Sequence, residues 1–318
     1  MKLNTINQGD AVEGIYTLRR FAVREARNGK YFADVIVGDL TGEISGKIWD
    51  FDIALLKEFE TGSFARITGV CEIYNGRLQL RINDIKNATP TQEELKDLIE
   101  AAPYPPDKMY AKIIEIIDGI KNPDIRTLTK TYLERNKQQL MYYPAAKSFH
   151  HAVRSGLIYH TYSMFRCALP LLDIYDFLNK DLVYAGIALH DIGKIKEIIS
   201  DENGIASQYS REGKLLGHIT ETVTDIGILA EELHTDKEVT MLLQHMVLAH
   251  HFSPEYGSPK PPMFAEAEML HYLDVLDSRM NQMQKTLNLT QPGEFAENVW
   301  ILDNRTIYNH ALDKEKNQ

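Results

Sequence analysis

The chain has 318 residues, 44% hydrophobic and 25% charged, with a formal net charge of −10. This is the composition of a folded globular protein long enough for two domains, and it excludes fibrous and low-complexity classes. The two cysteines, Cys71 and Cys167, lie far apart, which argues against a disulfide framework or a zinc-thiolate site.

Met1 to Asp10 lack an apolar core flanked by bases, and no apolar run approaches the length of a membrane span. The expectation is a cytoplasmic protein with no membrane partner. Up to Pro90, 12 Lys and Arg balance 12 Asp and Glu, whereas the remainder carries 23 against 33. The acidic excess therefore belongs to the second part of the chain. The first part clusters its bases at Arg19, Arg20, Arg24, Arg27 and Lys30, then Arg66, Arg77 and Arg81, so a basic face on a neutral domain is expected.

From Val12 to about Ala88 the pattern is that of strands. Tyr31, Ala33, Val35 and Val37 alternate with Phe32, Asp34 and Ile36. Asp39-Leu40-Thr41-Gly42 turns the chain into Glu43 to Trp49, a short helical piece covers Ile53 to Phe59, and Phe64 to Tyr74 alternates again. Asn75-Gly76 is a two-residue hairpin signal leading into Arg77 to Ile85. Five strands with a helix between the third and fourth predict a small closed barrel, and this stretch resembles the OB domains that bind single strands.

Such barrels stack bases on aromatic rings and track phosphates with cations. Tyr16, Phe21, Tyr31, Phe32, Trp49 and Tyr74 are the available rings, and Arg19, Arg66 and Arg81 the nearby cations. Taken singly, each ring is expected to fill the barrel; taken as a face, they are expected to form a binding surface. The expected nucleic-acid contacts are Arg19, Phe21, Tyr31, Trp49, Arg66, Tyr74 and Arg81.

Thr91-Gln92-Glu93-Glu94 has capping-box form and opens a helix to about Ala101, and Pro103 to Pro106 breaks it. The expected division is a barrel domain over 1–88, a linker with a short helix over 89–106, and an all-α region over 107–318. Its catalytic core is placed at about 150–282. Met109, Ile113, Ile116, Ile117 and Ile120 make one apolar helix face; Ile125, Leu128, Tyr132 and Leu133 make another.

An apolar helix then runs from Asp181 through Leu182, Val183, Ala185, Ile187, Ala188 and Leu189 into His190-Asp191-Ile192-Gly193-Lys194. Burying an imidazole and a carboxylate without partners is costly, and a divalent cation would offset that cost. A His-Asp pair by itself reads first as a capping or ion-pair feature. The supply of further donors changes the reading: His160 upstream, then His218, His250, His251 and Asp274 downstream.

This order of His, His-Asp, His, His-His and Asp resembles the HD phosphohydrolase superfamily. With the amino-terminal barrel, His150-His151 to Gly156-Leu157 to His160, Leu215-Leu216-Gly217-His218-Ile219, His250-His251-Phe252 and Leu273-Asp274-Val275-Leu276-Asp277-Ser278-Arg279-Met280, the chain is similar to the YhaM-type 3′-5′ exoribonucleases of Gram-positive bacteria.

The resemblance implies one metal on His160, His190, Asp191 and Asp274, and a second that shares Asp191 and adds His218, His250 and His251. It thus admits one or two ions per chain. A set of imidazoles and carboxylates suits Mn²⁺ or iron better than a structural zinc, and Mg²⁺ is also admitted. Asp191 and Lys194 are the expected catalytic residues, with the Lys194 ammonium on the substrate phosphate. Asp277, Arg279, His150 and His151 are expected behind the ligands or on phosphate.

The implied activity is shortening of single-stranded RNA, with single-stranded DNA also admitted, from the 3′ end to nucleoside 5′-monophosphates; a homo-oligomer is compatible with this. Two other readings stay open: an HD hydrolase of a nucleotide or cyclic dinucleotide with a regulatory barrel, and a non-catalytic single-strand-binding protein.

Overall fold

The computed structural model describes residues 1–26, 28–146, 151 and 153–312. Arg27 and His150 of the sequence reading lie outside the described residues. The chain divides into two compact units, 1–101 and 102–318.

In the first unit, β1 (Ala11–Glu25), β2 (Tyr31–Asp39), β3 (Gly42–Ile48), β4 (Phe64–Tyr74) and β5 (Arg77–Asn87) close a barrel in the order β1-β2-β3-β5-β4. The length of β1 makes closure possible: Ala11 to Thr17 pair with β4, and Thr17 to Glu25 pair with β2. A register shift between Leu18 and Arg20 marks the change of partner. A 3-10 turn at Ile53–Glu58 bridges β3 and β4, where a short helical piece is expected. Asn75 and Gly76 both have positive φ, 50° and 76°, the geometry of the tight hairpin that joins β4 to β5. At the β2–β3 turn, Asp39 Oδ1 accepts from the backbone of Thr41 and Gly42.

Alternation decides what fills the barrel: Val12, Tyr16, Leu18, Val35, Val37, Ile67 and Leu80 are buried. The helix expected in the linker, α1 (Gln92–Leu98), carries the full capping box at Thr91 and Glu94. It buries Leu95 and Leu98, and Leu40 N–H donates to Asp97 O, so this helix is part of the barrel unit.

In the second unit α2 (Pro106–Asp118), α3 (Pro123–Arg135), α4 (Lys137–Leu140) and α5 (Gly156–Ile174) precede α6 (Lys180–Leu189). After α7 (Lys194–Glu197) come the strands β6 (Ile198–Ser200) and β7 (Ala206–Tyr209). Then follow α8 (Arg211–Leu215), α9 (Gly217–Leu233), α10 (Lys237–Ala249) and α11 (Ala265–Asn288).

The β6–β7 pair departs from the expected run of helices. Its turn is made by Asp201, whose Oδ1 accepts from the N–H groups of Asn203 and Ile205, with Gly204 at φ 80°. The signal was present as β-branched Ile198-Ile199 before Asp201-Glu202-Asn203-Gly204.

The site is organised by α6, apolar on nearly every side. Val183, Ala185, Ile187 and Leu189 are fully buried, so the helix can end only inside the unit, and it delivers His190 and Asp191 to the interior.

Candidate metal centre and nucleic-acid interface

His190 caps α6, and its Nδ1 lies 3.0 Å from Ile187 O, which directs Nε2 the other way. The chain does not continue as α-helix through Asp191. Ile192 N–H reaches Leu189 O and Lys194 N–H reaches Asp191 O, a tight turn that aims the Asp191 carboxylate inward.

Gly193 allows this turn to press against α9. A Cβ there would lie 2.4 Å from His218 O and 2.4 Å from Thr222 Oγ1, while Gly193 N–H donates to Thr222 Oγ1 at 3.0 Å. The close approach brings His218, in the first turn of α9, to Asp191: Nε2 to Oδ1 is 3.4 Å.

Two groups of donors meet at Asp191. His160, His190 and Asp191 form one, and Asp191, His218, His250 and His251 the other, with ligand-competent atoms within 4.8 Å of one another in each. His160 Nε2 lies 3.2 Å from His190 Nε2 and 3.6 Å from Asp191 Oδ2. Asp274 of α11 joins the first group, its Oδ1 3.3 Å from His160 Nε2.

Each imidazole is held by its outer nitrogen. His250 Nδ1 lies 2.7 Å from Val247 O, His251 Nδ1 2.6 Å from Tyr256 O, and His160 Nδ1 2.7 Å from Asp277 Oδ2. Such partners set the tautomer and the ring direction of a histidine ligand.

Burial disfavours the charged forms of His250 and His251 and lowers both from the ordinary imidazole value. Burial opposes ionisation of Asp191, but Lys194 and His190 outweigh it and hold the carboxyl well below its usual range. Asp274 is likewise held down by His160 against its burial.

A cation fits this donor set. Asp191 Oδ1, His218 Nε2 and His250 Nε2 are buried without a hydrogen bond, and an unsatisfied buried polar group costs about 1–3 kcal/mol. The three converge, with His250 Nε2 3.8 Å from Asp191 Oδ1, and a shared cation satisfies them together.

The supporting residues differ in part from expectation. Lys194 is buried, its Nζ 2.6 Å from Asp191 Oδ2, so its direct partner is a carboxylate. Burial disfavours its charge, but Asp191 more than compensates and raises its affinity for the proton.

Asp277 Oδ2 accepts from both His160 and His151, the latter at 2.7 Å, so His151 backs the carboxylate that orients His160. The Arg279 guanidinium is engaged by Asp303, Nη2 to Oδ2 2.5 Å.

Sequence reasoning missed Glu197, whose Oε2 lies 3.1 Å from His218 Nδ1, and His271, whose Nδ1 lies 2.7 Å from His250 O. No spacing rule pairs Glu197 with a histidine 21 positions away.

In the barrel unit the expected interface is partly redistributed. Tyr16 is buried with its hydroxyl on Met1 O. Phe21 packs inward, 5.6 Å from Phe51 and 5.3 Å from Phe59 between ring centroids, so it is core and not platform.

Tyr31, Trp49 and Tyr74 are exposed. Arg66 and Arg81 pair with Glu94 and Glu72, and Arg19 reaches Asp39 O. Phe32 and Trp49 form a surface ring pair with centroids 5.5 Å apart, and Lys47 Nζ sits 4.7 Å from one and 4.8 Å from the other. Register puts Arg24 opposite Phe32 and Arg81 beside Lys47, which extends this outer face across four strands.

Comparison with known proteins follows this division. Residues 157–279 match the HD domain family. Residues 12–88 match the family described as OB-fold nucleic acid binding domain.

The HD domain indicates a metal-dependent phosphohydrolase, and together with the OB-fold domain it fits a nucleic-acid hydrolase. HD domains bind divalent metals, and the His/Asp cluster centred on Asp191 could hold one.

Among solved structures, the barrel is similar to a replication factor A related protein of Methanobacterium thermoautotrophicum (22% identity, 29% of this chain and 93% of that one, TM-score 0.25). It is also similar to the second OB-fold domain of replication protein A from Methanococcus maripaludis (16%, 29% and 96%, 0.23). A third is a mitochondrial single-stranded DNA binding protein of S. cerevisiae (12%, 27% and 100%, 0.22). Among the described residues no helix is long and apolar enough to cross a membrane.

Proposed function

We propose that the protein is a metal-dependent 3′-5′ exoribonuclease that shortens single-stranded RNA, with single-stranded DNA also admitted as substrate, releasing nucleoside 5′-monophosphates. The observation that carries this reading is the pair of donor groups sharing Asp191, in a chain that also holds an OB-fold domain with an aromatic and cationic outer face.

His160, His190, Asp191 and Asp274 would hold one cation, and Asp191, His218, His250 and His251 a second, with Mn²⁺ the best match to this mix of nitrogen and oxygen donors. Bound divalent cations supply Lewis acidity toward phosphoryl oxygens.

The chain's own residues do the rest. Asp277 and Glu197 fix the tautomers of His160 and His218. Asp191 offers one oxygen to each group. Lys194, on the wall of the adjacent cavity, supplies a fixed positive charge to the substrate phosphate.

The test is incubation of pure protein and Mn²⁺ with RNA labelled at either end, the same DNA sequence, and free nucleotides including a cyclic dinucleotide. A 3′ label should leave at once as mononucleotide, while a 5′ label persists in a shrinking ladder. Intact RNA beside consumed free nucleotide would assign the centre to a small-molecule hydrolase.

A further inference from the structure

Beside the donor cluster lies a cavity of ≈ 530 Å³, within the range that accepts small organic ligands. Lys194, His251 and Asp274 line it together with Phe252, Tyr256 and Trp300. Trp300 stands beyond residues 157–279, on a carboxy-terminal segment that the match to the HD domain does not include.

That segment is fixed to α11. Leu302 is fully buried beneath it, Asp303 holds Arg279, and Asn309 Nδ2 donates to the carbonyls of Leu287 and Thr290. The bridges Phe295 to Tyr308 and Val299 to Arg305 fold it back on itself. Trp300 is nevertheless 63% exposed and is part of the cavity lining.

The Phe252 part of the lining is built at a cost. Phe252 has φ 68°, a backbone region that a bulky residue occupies only when its surroundings force it. They do: Phe252 N–H donates to Ala249 O, Ser253 N–H to His251 O, and His251 N–H to the Oγ of fully buried Ser258. The same loop that aims His251 at the centre therefore presents Phe252 to the cavity.

We infer that this cavity is a nucleobase subsite, in which the base of the nucleotide whose phosphate lies at the His/Asp centre stacks on Trp300 and Phe252. The inference rests on the phosphohydrolase reading above for what occupies the centre. Aromatic walls recognise a base by its π-face, whatever its identity, while Ser278 and Gln282 in the same lining offer polar groups to its edge. A carboxy-terminal segment built onto the HD domain thus makes the centre a nucleotide site as distinct from a general phosphoester site.

The chain has 2 tryptophans, Trp49 and Trp300, which makes the test direct. In the full-length Trp49→Phe protein, Trp300 fluorescence is followed while adenosine 5′-monophosphate or ribose 5-phosphate is added with Mg²⁺. The nucleotide should quench saturably and the sugar phosphate should not.

By calorimetry, Trp300→Ala should weaken the nucleotide roughly 5- to 150-fold, the worth of one stacked base. It should leave ribose 5-phosphate unchanged, and Trp300→Phe should restore most of the loss. Equal affinity for nucleotide and sugar phosphate, no nucleotide binding at all, or a folded Trp300→Ala that binds nucleotide within twofold of the parent would each overturn the subsite.

The two readings fail separately. Nucleotide binding that depends on Trp300, in a protein that leaves RNA intact, retains the subsite and removes the ribonuclease. RNA degradation with an unchanged KM in Trp300→Ala does the reverse.

Discussion

Glu197 and His218 are 21 positions apart, and Glu197 Oε2 lies 3.1 Å from His218 Nδ1 while His218 Nε2 points at Asp191 Oδ1, 3.4 Å away. The contact fixes the proton on Nδ1. Burial opposes ionisation of Glu197, but the hydrogen bond from His218 outweighs it and holds the carboxyl below its ordinary range. Loss of such a partner typically costs 10- to 100-fold in metal affinity or activity, and Glu197→Ala should do so here. Mn²⁺ titration monitored by calorimetry checks this; an unchanged Mn²⁺ affinity would remove Glu197 from the centre.

Asp191 and Lys194 form a buried pair at 2.6 Å, so Asp191→Ala should do more than abolish metal content and turnover. Breaking a buried pair from one side costs about 3–5 kcal/mol, because the remaining charge is stranded. Urea unfolding of metal-free protein should show that loss, and Asp191→Ala with Lys194→Met should recover most of the stability and none of the activity. Equal stability of the two variants would mean that Lys194 finds water or another partner.

Lys194→Ala tests the charge itself. Turnover should fall by roughly 10- to 1000-fold while metal content, read by elemental analysis, stays at the parent level. Parallel loss of metal and activity would assign Lys194 to support of Asp191 instead of contact with the phosphate.

Gly193→Ala tests how closely the His-Asp turn must press against α9. The added methyl meets His218 O and Thr222 Oγ1, both at 2.4 Å, and overpacking of this kind costs about 1–3 kcal/mol. Thermal unfolding should drop, and Mn²⁺ affinity should drop with it, since His218 is the residue displaced. A variant that keeps both would show that α9 can slide without loss.

On the barrel, Trp49→Ala and Lys47→Ala should weaken long single-stranded RNA without changing hydrolysis of a dinucleotide. The ring should be worth about 1–3 kcal/mol. The lysine should instead reduce the slope of log affinity against log salt by about 0.7, the share of one phosphate on a single strand. Binding curves at several salt concentrations separate these two effects. Identical curves for parent and variants would move the interface off the face made by Phe32, Lys47 and Trp49.

Local chemistry was legible along the chain because it is governed by near neighbours. Thr91 and Glu94 make their capping box, Asn75 and Gly76 their hairpin, and the alternation of β2 sends Ala33, Val35 and Val37 inward. Burial cost pointed to a cation at His190 and Asp191, while the rest of the donor set around Asp191 was legible through the order of motifs that resembles the HD superfamily.

Periodicity says which side of an element faces in, but not which distant residue waits there. It could not separate Phe21, which Phe51 and Phe59 enclose, from Phe32, which lies outside under Lys47. Nor could it give Lys194 to Asp191, Glu197 to His218, or Trp300 to the cavity beside Asp274. Those pairings depend on how far one helix approaches another, and at this centre a single hydrogen in place of a methyl, at Gly193, sets that distance.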